Sequence, residues 1–175
     1  MISVTQALSS YNDFSAIPPG ILQAAADRGS RVHRACAAYA SGFPALGLHG
    51  EDRGFYNSFF NWFNDYVSEV IAVEIRLESP LGFTGALDLA CRLSDGRCCI
   101  VDYKTPAIES PLWRAQIAAY CDLAAGKFGG TFAGMALMLR KDGKAAKGIV
   151  YQYQVQDFAA FVSSLNSYRY FKGDK

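Results

Sequence analysis

The chain has 175 residues, 51% of them hydrophobic, and Lys+Arg 17 against Asp+Glu 16 gives a net charge of +1. That length and apolar content suit one compact domain over 1–175, and near-neutrality excludes a histone-like binder, so any nucleic-acid contact has to be local. No apolar run reaches the roughly 18 residues of a membrane helix, and MISVTQALSS lacks the charged-then-apolar layout of a secretory signal, so a cytoplasmic protein with no membrane partner is expected. After Pro18-Pro19-Gly20, residues Ile21 to Ser41 carry apolar side chains at helical intervals, closed by Gly42 and Pro44 and interrupted near Gly29. Glu51 to Val67 follows as a second helix with an aromatic stripe of Phe55, Phe59, Trp62, Phe63 and Tyr66, which reads as core.

Val70 to Ser79 alternates, with Ile71, Val73, Ile75 and Leu77 on one face, so a half-buried strand is predicted. Phe83 to Leu93 and Arg97 to Lys104 are two further strands around the turn Ser94-Asp95-Gly96. Pro111 to Ala124 returns to helical spacing. Phe132 to Arg140 and Ile149 to Val155 form a second strand pair around Asp142-Gly143, and Asp157 to Tyr170 closes the chain as a helix. The fold class is α/β (α+β). Cys36, Cys91, Cys98, Cys99 and Cys121 are odd in number and lack C-x-x-C spacing, so they read as reduced core residues.

Two carboxylates interrupt apolar strands: Asp88 in Gly85-Ala86-Leu87-Asp88, and Asp102 after Cys98-Cys99-Ile100-Val101. Each alone reads as a solvated strand-end acid. A three-residue hairpin loop with Gly96 last pairs Leu93 with Arg97, which places Asp88 opposite Asp102 and Ala86 opposite Lys104 on one sheet face. A two-residue turn would instead set Asp88 against Tyr103 and turn Asp102 away. Two carboxylates about 5 Å apart at an effective dielectric near 20 repel by roughly 3 kcal/mol, which calls for a proton or cation between them. Hard oxygen ligands suit Mg2+ or Mn2+. Lys104 shares the face of Asp102, where its ammonium can orient a water or offset developing charge, or simply pair with Asp102. Gln116 and Tyr120, four apart on a helix, share a face. Glu74, on the polar side of its strand, is a candidate for a second metal or its water, and equally a solvated glutamate. Arg28, Arg31 and Arg34 at three-residue spacing, and Arg140, Lys141, Lys144 and Lys147 around the later hairpin, are either solvated faces or phosphate contacts.

Gly85-x-x-Asp88, Asp102-Tyr103-Lys104 and Gln116-x-x-x-Tyr120 together resemble the PD-(D/E)XK nuclease superfamily, most closely its RecB-like and phage exonuclease branch, over about residues 20–140. The resemblance implies a restriction-endonuclease-like mixed sheet, with three antiparallel strands, a crossover helix and further strands, flanked by helices. It implies metal ligation by Asp88, Asp102 and the Tyr103 carbonyl, a catalytic Lys104, and positioning of lysine or substrate by Gln116 and Tyr120. Arg28-Gly29-Ser30-Arg31-Val32-His33 is similar to the branch's Gly-x-x-x-His helix, which brings His33 into the metal shell. His49 receives no role. Leu87 stands where the superfamily's signature proline precedes the first acid. The C-terminal cysteine cluster of some relatives is missing, so no iron-sulfur cluster is expected. The implied function is a Mg2+- or Mn2+-dependent DNA exonuclease of recombination, repair or phage DNA metabolism, partnered by DNA and by an annealing protein or helicase, in the host cytoplasm if phage-encoded. A structure-specific endonuclease or a catalytically silent nucleic-acid-binding module are the alternatives.

Overall fold

A computed structural model describes residues 1–152 and 155–172. Its elements in chain order are β1 (Ile2–Ser3), α1 (Val4–Leu8), a 3-10 turn at Ser9–Tyr11, α2 (Pro19–Ala40), α3 (Asp52–Tyr66), β2 (Val67–Glu78), β3 (Phe83–Leu93), β4 (Cys98–Lys104), α4 (Leu112–Phe128), β5 (Ala133–Met138), β6 (Lys147–Tyr151) and α5 (Val155–Lys172). The predicted order of helices and strands holds from α2 onward. The expected strand Ile149–Val155 is β6 only through Tyr151: Gln152 lies beyond it, 153 and 154 lie outside the described residues, and Val155 opens α5.

The strands form one six-stranded mixed sheet in the order β1-β3-β4-β5-β6, with β2 on β3. β2, β3 and β4 are successive antiparallel neighbours, α4 crosses over to bring β5 parallel to β4, and β6 returns antiparallel on β5. Thr84 pairs with Glu78 of β2 and also with Ser3 of β1, so β1 takes the other edge of β3, the one β4 uses further along. Helices cover both faces. One core gathers α1, α4 and α5 side chains such as Leu8, Ile117, Leu123 and Phe161 over Leu87, Ala90, Ile100 and Ala136. The other sets Val32, Cys36, Phe55, Phe59 and Trp62 of α2 and α3 over Leu89, Cys91, Val101 and Leu137.

Pro19 occupies the first turn of α2, where its missing N–H costs nothing. The helix runs through Gly29 without the expected interruption: a mid-helix glycine costs about 1 kcal/mol relative to alanine but keeps its hydrogen-bonding groups. On α3 the aromatic stripe is core at Phe55, Phe59 and Trp62, whereas Tyr66, at the C-terminal end, is 53% exposed. The short α1 starts at a reciprocal cap, with Ser3 Oγ accepting from Gln6 N–H (3.1 Å) and Gln6 Oε1 accepting from Ser3 N–H (2.8 Å).

α2 docks on the start of α3 through charge. Arg31 Nε donates to Asp52 Oδ2 at 2.7 Å and its Nη2 to Oδ1 at 3.2 Å, and Asp52 is 2% exposed. The Arg31 hydrogen bonds, helped by the His49 N–H and opposed by burial, hold the Asp52 carboxyl below its usual range. A lowered carboxyl pKa stabilises the fold above the unfolded value near 4, and that contribution is lost as pH falls through the lower folded value. Asp52→Ala is therefore expected to lose about 1–2 kcal/mol at neutral pH, the half-exposed guanidinium keeping the figure modest. In urea titrations the gap to wild type should narrow below about pH 4; a gap that is the same at both pH values would refute the role.

Candidate functional site

The β3–β4 turn is the three-residue loop. Leu93 N–H donates to the Arg97 carbonyl at 2.8 Å, Gly96 has φ +87°, and the partners Leu89↔Val101 to Arg92↔Cys98 continue the same register. In this register the pairs 93/97, 91/99, 89/101 and 87/103 are the hydrogen-bonded ones. At the last of them the pattern fails. Tyr103 N–H donates to Asp88 Oδ2 at 2.7 Å, and Leu89↔Val101 is the final ladder pair. A carboxylate has taken the place of the Leu87 carbonyl, and the two strands part around it. Because Lys104 offers its carbonyl to Leu139 N–H on the β5 side (2.8 Å), alternation turns the Tyr103 carbonyl toward β3 and this seam.

The pleat reverses at the same level. Leu87 and Leu89, two residues apart, lie in opposite cores, as do Val73 and Ile75 on β2. Val73↔Leu89 and Ile75↔Leu87 keep one register across the break, so Glu74 stands opposite Asp88 in the interval. Glu74 has φ +48°, the left-handed region, and is the non-glycine with positive φ among the described residues. Such a backbone costs of order 1 kcal/mol or more for a side chain with a Cβ.

The break corrects one expectation. Asp88 and Asp102 do not share a regular sheet face. Asp88 turns toward α2, where His33 Nδ1 lies 3.2 Å from its Oδ1. Asp102, 4% exposed, lies with Ile100 on the α4 side and forms an ion pair with Lys104 Nζ. The ligating atoms of His33, Glu74 and Asp88 all fall within 4.8 Å of one another. Glu74, from the sequence equally a metal candidate and a solvated glutamate, thus joins the cluster, while Asp102 is near enough for its charge to act on His33.

Lys104 is held from three sides: it pairs with Asp102, donates to Gln116 Oε1 at 3.0 Å, and sits 5.3 Å from the centre of the Trp113 ring. Gln116 Nε2 in turn donates to Tyr120 Oη at 3.0 Å. The (i, i+4) pair predicted on this helix is therefore a relay that aims the ammonium. Gly85 makes the relay possible, because a Cβ there would lie 2.8 Å from both the Tyr120 ring and Leu123. Tyr103 contributes its ring as well as its backbone. It is 1% exposed and packs edge-on to His33 (5.5 Å) and to Phe59 (5.1 Å), seating the imidazole. Trp113, three residues before Gln116 on the same face of α4, is a site residue the sequence reading missed, and its spacing was the available signal.

The electrostatics describe crowded negative charge. Burial raises the Asp102 carboxyl, opposed by Lys104 and reinforced by Asp88. Burial also raises Glu74, with Asp88 adding and His33 opposing. For His33, burial works against the cation, but the Asp88 charge, its hydrogen bond and Asp102 outweigh that and raise its pKa. His33 Nδ1 shares a hydrogen bond with Asp88 Oδ1, and the Lys104 ammonium sets positive charge beside Asp102.

The cluster opens into a groove of about 540 Å³ whose other wall is the α2 face of Ala26, Gly29, Ser30 and Arg34. A larger cavity of about 660 Å³ lies at the opposite end of the sheet, beside Gly96 and the end of α4, and holds none of the candidate residues. Of the basic residues on α2, Arg31 is committed to Asp52 and Arg28 lies 4.0 Å from Glu51, leaving Arg34 exposed beside the cluster. His49 is exposed in the α2–α3 connection.

Two carboxylates and an imidazole within this spacing, with a strained backbone beneath one of them, fit a divalent cation of the Mg2+/Mn2+ class, and the nitrogen donor favours Mn2+. Glu74→Gly removes both the strain and one carboxylate. It is expected to leave the melting temperature unchanged or higher without metal, and to weaken Mn2+ binding by about 10–100-fold in calorimetric titration; wild-type Mn2+ affinity in this variant would refute its place in the cluster. No protein-family model matches the chain, and no curated protein matches it. Among the described residues no helix is long and apolar enough to cross a membrane.

Proposed function

We propose that this chain is a divalent-metal-dependent deoxyribonuclease of the PD-(D/E)XK superfamily, in its RecB-like branch and with a restriction-endonuclease-like core, acting as an exonuclease in recombination, repair or phage DNA metabolism. The observation that carries the reading is the splitting of β3 from β4 by Asp88. It sets a His33–Glu74–Asp88 cluster on one side of the seam and the Asp102–Lys104–Gln116–Tyr120 relay on the other. His33, Glu74 and Asp88 would hold the metal, with Asp102 and the Tyr103 carbonyl completing its surroundings. When bound, the ion supplies a water of lowered pKa and relief of charge on the phosphate oxygens.

The protein's own groups do the rest. Gln116 and Asp102 fix the Lys104 ammonium so that it can orient the attacking water or meet the charge that develops on phosphorus oxygens. Tyr120 holds Gln116, and Tyr103 holds His33. The order of strands and the crossover at α4 agree with the core that the motif resemblance implies.

The test compares linear and closed-circular plasmid DNA incubated with Mg2+, with Mn2+ and with a chelator. Digestion of linear DNA from its ends, with circles spared and no turnover under chelation, is expected. Cleavage of circles would move the protein to the endonuclease class, and inactivity on every DNA form with both metals would overturn the nuclease reading.

A further inference from the structure

We propose that a second groove, between α2 and the loop joining β5 to β6, is a track for the phosphate backbone of the DNA strand, adjoining the metal-cluster groove; the assignment rests on the nuclease reading. This groove encloses about 600 Å³. Its cations are Arg28, Arg140, Lys141 and Lys147, and its floor includes Phe55 and Leu139. The two acids there are already engaged: Glu51 lies 4.0 Å from Arg28, and Asp142 pairs with Arg140 at 2.9 Å. Lys141 and Lys147 are exposed and have no ion-pair partner among the described residues. Arg28 lies over the Phe55 ring, and its Nε is buried without a hydrogen-bond partner.

The two grooves meet at Gly29. It lines the cluster groove, and a Cβ built on it would meet Thr105 Oγ1 of the second groove at 3.9 Å. Thr105 directly follows Lys104. Gly29 and Thr105 therefore close on each other at about van der Waals distance, and a strand joining the two grooves crosses over this contact rather than between the two residues. Cations bracket the acidic centre, Arg34 on one side and Lys141 with Lys147 on the other. A small free anion needs only one such end, whereas a strand with a charge at every phosphate uses both and carries its scissile bond to the acids between them. The packing of α2 on α3 explains the division of labour: Arg31 is consumed in docking the helices, so the β5–β6 loop supplies the free charge.

The experiment measures binding of a fluorescent oligonucleotide by anisotropy across a range of NaCl, with Ca2+ replacing the activating metal. The double variant Lys141→Ala/Lys147→Ala is compared with Lys127→Ala/Lys172→Ala, which removes the same charge from the ends of α4 and α5. The groove variant is expected to bind about tenfold more weakly near physiological salt and to lower the slope of log K against log salt by about 1.4 on single-stranded or 1.8 on duplex DNA, while the control keeps the wild-type slope. Equal slopes for both variants would overturn the track while leaving the nuclease reading standing. Wild-type protein that binds no DNA would overturn both. Inorganic phosphate that raises the melting temperature of wild type but not of the groove variant, with the DNA slope unchanged, would reassign the groove to a free anion and overturn the strand path.

Discussion

Asp88→Asn is expected to cut metal-dependent DNA hydrolysis by about 10²–10⁴-fold and to remove most of the rise in melting temperature that Mn2+ gives the wild-type protein. The substitution isolates charge from architecture. Asparagine keeps an oxygen at the position that accepts the Tyr103 N–H, so the parting of β3 and β4 survives, and what is lost is the anion shared by His33 and a cation. Removal of that anion also withdraws the largest influence that raises His33 against burial. In the wild type, Mn2+ has to displace the His33 proton, so its affinity should climb with pH across the raised His33 titration, and this climb should flatten in Asp88→Asn. Calorimetric titration of Mn2+ at several pH values, alongside the nuclease assay, checks both statements. An asparagine variant with an unchanged Mn2+ shift would remove Asp88 from the metal site.

Lys104→Met is expected to lose about 10²–10⁴-fold in activity and, separately, about 3–5 kcal/mol in stability near neutral pH, because it strands a buried carboxylate. Asp102 is 4% exposed and Lys104 is its ion-pair partner. Burial already raises the Asp102 carboxyl and Lys104 is the chief opposing influence, so the methionine variant raises it further. A raised folded pKa makes the charged form the costly one: the stability deficit is full above that pKa and fades as pH falls through it toward the unfolded value near 4. The double variant Lys104→Met/Asp102→Asn should recover most of the stability and none of the activity, as chemical denaturation and the nuclease assay would report. A double variant no more stable than the single one would show that the pair is not coupled as described.

Parts of this site can be read from the chain alone. The Gly at the third place of Ser94-Asp95-Gly96 points to the three-residue loop that pairs Leu93 with Arg97, and the structure takes that register over the two-residue alternative. The four-residue spacing of Gln116 and Tyr120 likewise places them on one helix face, where the structure joins them by a hydrogen bond. The facing of Asp88 was out of reach, since period-two alternation assumes an unbroken pleat and the reversal depends on Glu74 adopting a positive φ that nothing in its neighbourhood announces. For the same reason alternation alone leaves Glu74 equally a metal candidate and a solvated glutamate. Arg28, Arg31 and Arg34 look equivalent by spacing, and only the long-range approach of Glu51 and Asp52 separates the docking arginine from the exposed one. Short α1 escapes periodicity analysis at five residues, although its Ser3-x-x-Gln6 cap is visible in the sequence.

The near contact of Gly85 with Tyr120 gives the lysine a mechanical linkage to β3 that runs through two side chains of α4. One added methyl at residue 85 would press on the phenol ring, swing the amide that the ring steadies, and so detune the ammonium two links away. A genetic screen would score such a lesion as an enzyme with a misaligned lysine rather than a broken fold.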